Sequence, residues 1–180
     1  MAPAPKPPAA DASGGPPVLL EPRAFEPSAP QVFQLESGLT VWLLERPMLP
    51  LVSANVVIPY GASSDPKDRP GLAHALADML DEGAGSRKAL AFSDAVETLG
   101  ADFFASAGLD ATVLGVSALQ QNFGEAFALL ADATLRPRLE VGDFTRAKKL
   151  WIDALKKRGD DPSQVASLVA RRVFFSDGAP

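Results

Sequence analysis

The sequence predicts an α+β fold: an antiparallel or mixed sheet with helices packed on one face. Two patterns lead there. Stretches of apolar–polar alternation come in runs, stretches with a 3.6-residue apolar period come in other runs, and the two do not alternate one for one. A third observation sets the scale. With 180 residues, 47% hydrophobic and 22% charged, the chain suits one domain with a sizeable core.

The elements follow in order. Val32 to Glu36 alternates, Ser37-Gly38 is a turn signal, and Leu39 to Glu45 (LTVWLLE) reads as the second strand of a hairpin. Pro47 and Pro50 punctuate. Leu51 to Pro59 is a third strand rich in β-branched residues, ended by Pro59 and Gly61. From Leu72 to Asp81 the period changes, with Leu72, Leu76, Met79 and Leu80 on a helical face that Glu82-Gly83-Ala84-Gly85 stops. Leu90 to Leu99 is a second helix, closed by Gly100. Strands at Ala101 to Ala107 and Ala111 to Leu119 are joined by the turn Gly108-Leu109-Asp110. Asn122 is placed to cap a helix that runs to about Leu135 and ends at Pro137. Val141 to Arg158 puts Phe144, Ala147, Leu150, Trp151, Ala154 and Leu155 on one face, and Pro162 opens a last helix to about Phe175. The predicted order is β-β-β-α-α-β-β-α-α-α, without internal repeat.

Composition removes several chemistries. A formal net charge of −5 offers no attraction to nucleic acid or an anionic membrane surface. With no cysteine there is no disulfide, no thiolate ligand and no thiol nucleophile. A single histidine means that any Ser-His site, or any imidazole metal ligand, has only His74 to use. No stretch approaches the roughly 20 apolar residues of a membrane-spanning helix. Residues 1–30, beginning MAPAPKPPAADASGGPP, are too poor in apolar surface to fold and are expected to form a disordered leader before a domain at 31–180. They show no basic region followed by an apolar core. That composition suits a secreted protein written without its signal peptide, and equally a cytosolic protein with a disordered tail. Ser176 to Pro180 are loop-like residues after a helix, so the domain is expected to be incomplete.

The segment richest in chemistry is Pro70 to Gly83, PGLAHALADMLDEG. It resembles the zinc-binding helix of the pitrilysin (M16) metallopeptidases, with the inverted motif H-x-x-E-H in a Gly-Leu-Ala-His context. In that motif two histidines four residues apart share a helix face and grip one zinc, while the glutamate activates a bound water. Gly71, Leu72, Ala73, His74, Leu76 and Met79 match the context. His74 stands for the first histidine, Ala77 for the catalytic glutamate and Asp78 for the second histidine. By the same resemblance the third ligand falls on Ala154 and a supporting glutamate on Ala147. The likeness continues in order through Ser37 to Trp42, Gly61 to Pro66, Leu80 to Ala84, Val96 to Ala101, Leu129 to Asp132 and Asp160 to Pro162, covering about residues 31–180.

The resemblance implies the M16-like metallohydrolase fold in truncated form. Its motif positions imply a non-catalytic member, with no catalytic residue and no metal ligand set. Zinc is then expected only in a zinc-bearing M16 homologue that partners this chain, with the peptide substrate held jointly and no nucleic acid or membrane span involved. A non-proteolytic binding or scaffold module on the same fold is the alternative, and a peptidase with an unorthodox metal site around His74 and Asp78 is a third. A periplasmic or secreted location follows the family's habits and the leader, against a cytoplasmic one. Other segments have plainer readings. His74 and Asp78 form an i, i+4 pair; Asp78, Asp81 and Glu82 are a solvated acidic face. Lys148, Lys149, Lys156, Lys157 and Arg158 solvate a helix and favour its C-terminal end. Trp42 and Trp151 pack in or beside the core, and Gly83 and Gly100 cap helices.

Overall fold

The computed structural model describes residues 27–175. Most of the expected leader, and Ser176 to Pro180, lie outside them. Backbone contacts divide the chain into two units, the first ending at Arg46.

In the first unit, β1 (Gln31–Gln34) and β2 (Thr40–Leu43) form an antiparallel hairpin with Val32 opposite Trp42. Gly38, at φ +87°, makes the reversal that the Ser-Gly signal announces. The expected packing of Trp42 is corrected here: 71% of its surface is exposed. Within its own unit a two-stranded ribbon offers no second layer on which to bury it.

The second unit contains a three-stranded antiparallel sheet in the order β3 (Leu51–Ile58), β7 (Thr112–Leu119), β6 (Asp102–Ala107). The central strand is β7, with Leu114 opposite both Val56 and Ala105. Leu114, Val116 and Ala118, two residues apart, turn to one face and are buried there against the helices. The helices are α1 (Leu72–Met79), α2 (Ala89–Thr98), α3 (Phe123–Leu135), α4 (Val141–Arg158) and α5 (Pro162–Phe175). Phe92 and Val96 of α2, and Ala126, Leu129, Leu130 and Ala133 of α3, complete the core on that face. The opposite face is half polar, with Ser53 Oγ bonded to Ser117 Oγ at 2.9 Å. This is the segregated α+β arrangement the sequence predicts.

Two short features fall between the predicted elements. Ala62–Ser64 forms a 3₁₀ turn, and β4 (Gly83–Ala84) pairs with β5 (Arg87–Lys88) as a ribbon. Gly83 therefore sits in a strand at φ +117°, and does not cap α1. A Cβ there would lie 2.7 Å from the Arg87 carbonyl oxygen, so the tight ribbon needs glycine. Gly100, at φ +59°, does close α2. Asn122 stands before α3 but makes no side-chain cap; its Nδ2 donates to the Leu99 carbonyl at 2.8 Å. Asp161, noted in the sequence only for its family likeness, caps α5 by accepting from the Ser163 and Gln164 N–H groups at 2.9 and 3.3 Å.

Candidate functional site at the junction of two helices

The motif helix α1 begins at a built turn. Gly71 adopts φ +90°, and the Asp65 carboxylate accepts from the Gly71 and Ala73 N–H groups at 2.7 and 2.9 Å. These are two of the donors that a helix leaves unpaired at its start. The Gly71 conformation also brings the backbone under Trp151 of α4, whose ring atoms would stand 3.4 Å from a Cβ at that position. Helix α1 thus packs beside α4.

The junction holds most of the motif positions. His74 is exposed and stands T-shaped to Trp151, ring centroids 6.4 Å apart at 64°. Ala77 is buried, at 2% exposure. Asp78 is exposed beside a groove whose far wall is Phe144, Ala147 and Trp151. Ala147 is half-buried in that wall, whereas Ala154, two turns further along α4, is exposed and does not line the groove. Helix α4 is the place where periodicity overstated packing. Leu150 and Leu155 remain 60% and 58% exposed, and no residue of α4 is buried. Only Phe144, Ala147 and Trp151 of that apolar face meet α1 through the groove.

Two expectations need correction. His74 and Asp78 form no hydrogen bond or ion pair with each other among the described contacts; the imidazole stands T-shaped to the Trp151 ring. The acidic stretch is not uniformly solvated. Glu82 is bonded to Arg146 of α4, which also lies 3.7 Å from Asp143. Burial within this packed turn, then the negative charges of Glu82 and Asp78, hold the Asp81 carboxyl above its ordinary range, although its side chain still reaches water. The Arg146–Glu82 bond joins residues 64 apart in sequence, so no local pattern announces it.

The family resemblance implies zinc, and the donor set can be tested against that metal. A catalytic zinc takes three protein ligands and leaves a position for water. His74 and Asp78 offer two donors. The methyl groups of Ala77, Ala147 and Ala154 offer no lone pair, either to bind the ion or to accept a proton. Among the described residues no three His, Cys, Asp or Glu side chains gather where they could hold a metal. These residues do not fit a hydrolytic zinc.

Fold and site together define a class: an α+β domain whose inverted-motif helix lies against a second long helix. The family model for insulinase-type peptidases, Peptidase family M16, matches residues 40–171, and the chain belongs to that family. Among curated proteins, an uncharacterized zinc protease of Rickettsia bellii is 23% identical over 146 residues, covering 81% of this chain and 35% of its own length. One from Rickettsia felis is 27% identical over 134 residues, covering 74% and 32%. The chain thus spans about a third of the length of these relatives. Among solved structures, an inactive M16 domain from Pseudomonas fluorescens superimposes with TM-score 0.73 at 26% identity, over 79% of this chain and 35% of that one. Pitrilysin superimposes with TM-score 0.55 at 27% identity, over 62% and 12%.

Proposed function

We propose that this chain is part of a non-catalytic M16 subunit, one that partners a zinc-bearing homologue and helps hold the peptide that homologue cleaves. The observation that carries the reading is the side-chain inventory at the motif positions. With Ala77 in place of the glutamate there is no general base; with Asp78 and Ala154 there is neither a second imidazole nor a third ligand. Without a polarised water nothing attacks a peptide bond, so the fold retains shape and surface but no hydrolytic chemistry. Its likeness to an M16 domain described as inactive supports the same reading. A periplasmic or secreted location belongs with it, against a cytoplasmic one that the leader composition suits equally; cell fractionation tests that part.

The test uses the full-length gene product, purified and assayed for metal, then mixed with a zinc-bearing M16 protein from the same genome. The expected result is less than stoichiometric zinc, no peptidase activity alone, and a stable complex in which the partner's peptide hydrolysis rises. Stoichiometric zinc that is lost in His74→Ala would establish the unorthodox metal site and end the proposal. A metal-free protein that leaves every zinc homologue's activity and assembly unchanged would point to the scaffold alternative.

A further inference from the structure

The groove between α1 and α4 has a form of its own. It encloses about 240 Å³, and its walls are Leu72 and Ala75 from one helix with Phe144, Ala147 and Trp151 from the other. Such a volume has room for an aliphatic side chain together with the backbone atoms that carry it, and the walls are apolar and aromatic as small-ligand sites are. Leu72, Phe144 and Trp151 stay 48%, 44% and 37% exposed although they surround a concavity. Filling it would remove part of each from water.

The rim is charged in a particular pattern. Lys148 and Arg69 supply two cations and Asp78 one carboxylate. Neither the Lys148 nor the Asp78 side chain forms an ion pair or hydrogen bond among the described residues. Arg69 meets only its neighbour Asp68, at 3.6 Å with both side chains more than 70% exposed, a pair weak enough to exchange. The groove therefore presents an apolar recess, cations beside it and an acceptor for N–H.

We propose that this groove binds the C-terminal residue of a peptide ending in an aliphatic amino acid. Such a residue carries all three complementary parts on one unit. The side chain fills the recess, the terminal carboxylate meets Lys148 and Arg69, and the amide N–H donates to Asp78. A mid-chain residue lacks the carboxylate, and a free amino terminus would set a third cation beside two. The alanine at position 147 matters directly, since a longer side chain there would occupy the recess. The proposal rests on the reading of the chain as a peptide-holding subunit, but its test needs neither partner nor protease.

The chain with Trp42→Phe keeps Trp151 as its one indole. Titrated with N-acetyl-L-leucine, its fluorescence should change saturably. N-acetyl-L-leucinamide, which lacks only the charge, should bind about fivefold more weakly, the size of one solvent-exposed ion pair. Lys148→Ala, an exposed change that leaves packing alone, should shrink that difference, and Lys148→Ala with Arg69→Ala should erase it. Ala147→Leu, checked for folding by circular dichroism, should abolish binding of both probes. No saturable change, equal affinities for acid and amide, or undiminished binding in the folded Ala147→Leu protein would each overturn the proposal. Any of these results leaves complex formation with a zinc homologue to be decided separately.

Discussion

Asp65 and Asp81 are both carboxylates at the ends of the motif region, and their surroundings give them opposite roles. Asp65 keeps its charge in use, accepting two N–H groups at the start of α1. Asp81, at the other end, has lost part of its hydration and faces Glu82 and Asp78, with Arg146 as the weaker countering charge. Its carboxyl is raised above the ordinary value of 3.8, so the folded chain holds that proton more tightly than the unfolded one. The sign follows: Asp81 contributes stability below its unfolded value, and that contribution is lost as pH rises through the raised folded value. Asp81→Asn, which is neutral at every pH, should therefore raise the urea midpoint at about pH 7 and change it little at about pH 3. Equal shifts at both values would mean that packing, and not charge, sets the effect.

At the scale of elements, β7 is the strand on which the second unit depends. It pairs on both sides, and its buried residues meet α3 on one face. On the other face Gly115 is not interchangeable. A Cβ there would collide with the Phe104 ring from β6 and with Asn55 Oδ1 from β3. Gly115→Ala should destabilise the chain by about 1 kcal/mol, the low end for overpacking, because the Phe104 ring and the Asn55 carboxamide are exposed side chains that can move aside. Denaturant unfolding would show it, and Phe104→Ala in the same chain should recover part of the loss by making room. Helix α4 contrasts with this. It is tied to the rest by Trp151 over Gly71, by the Arg146–Glu82 bond and by little else, and its other apolar residues stay exposed. Amphipathic periodicity reports which face can bury, and only the neighbour decides whether it does.

At the scale of the molecule, every member of the main buried cluster lies between Leu80 and Ala133. The hairpin before Arg46 supplies none of it. Residues 47–180 expressed alone should therefore fold, giving a cooperative thermal transition and the far-UV circular dichroism of a mixed α+β protein. A non-cooperative melt would show that the hairpin is needed for that core.

Much of this architecture was legible in the chain before its folding was known. Strand and helix order follow from local periods, since alternation and the 3.6-residue repeat are properties of neighbouring residues. That Ala77, Ala147 and Ala154 carry no donor atom is legible for a simpler reason: an alanine side chain has no lone pair wherever it is placed. Tertiary structure decided what depends on distant partners. It set Trp151 against Gly71 and His74, bonded Arg146 to Glu82 across 64 positions, and left Trp42 and much of α4 exposed. It also enclosed the groove between α1 and α4, whose walls come from residues more than sixty positions apart in the sequence. Local pattern fixes which residues can turn inward together, but a contact requires two surfaces, and the second is supplied only when the chain closes on itself.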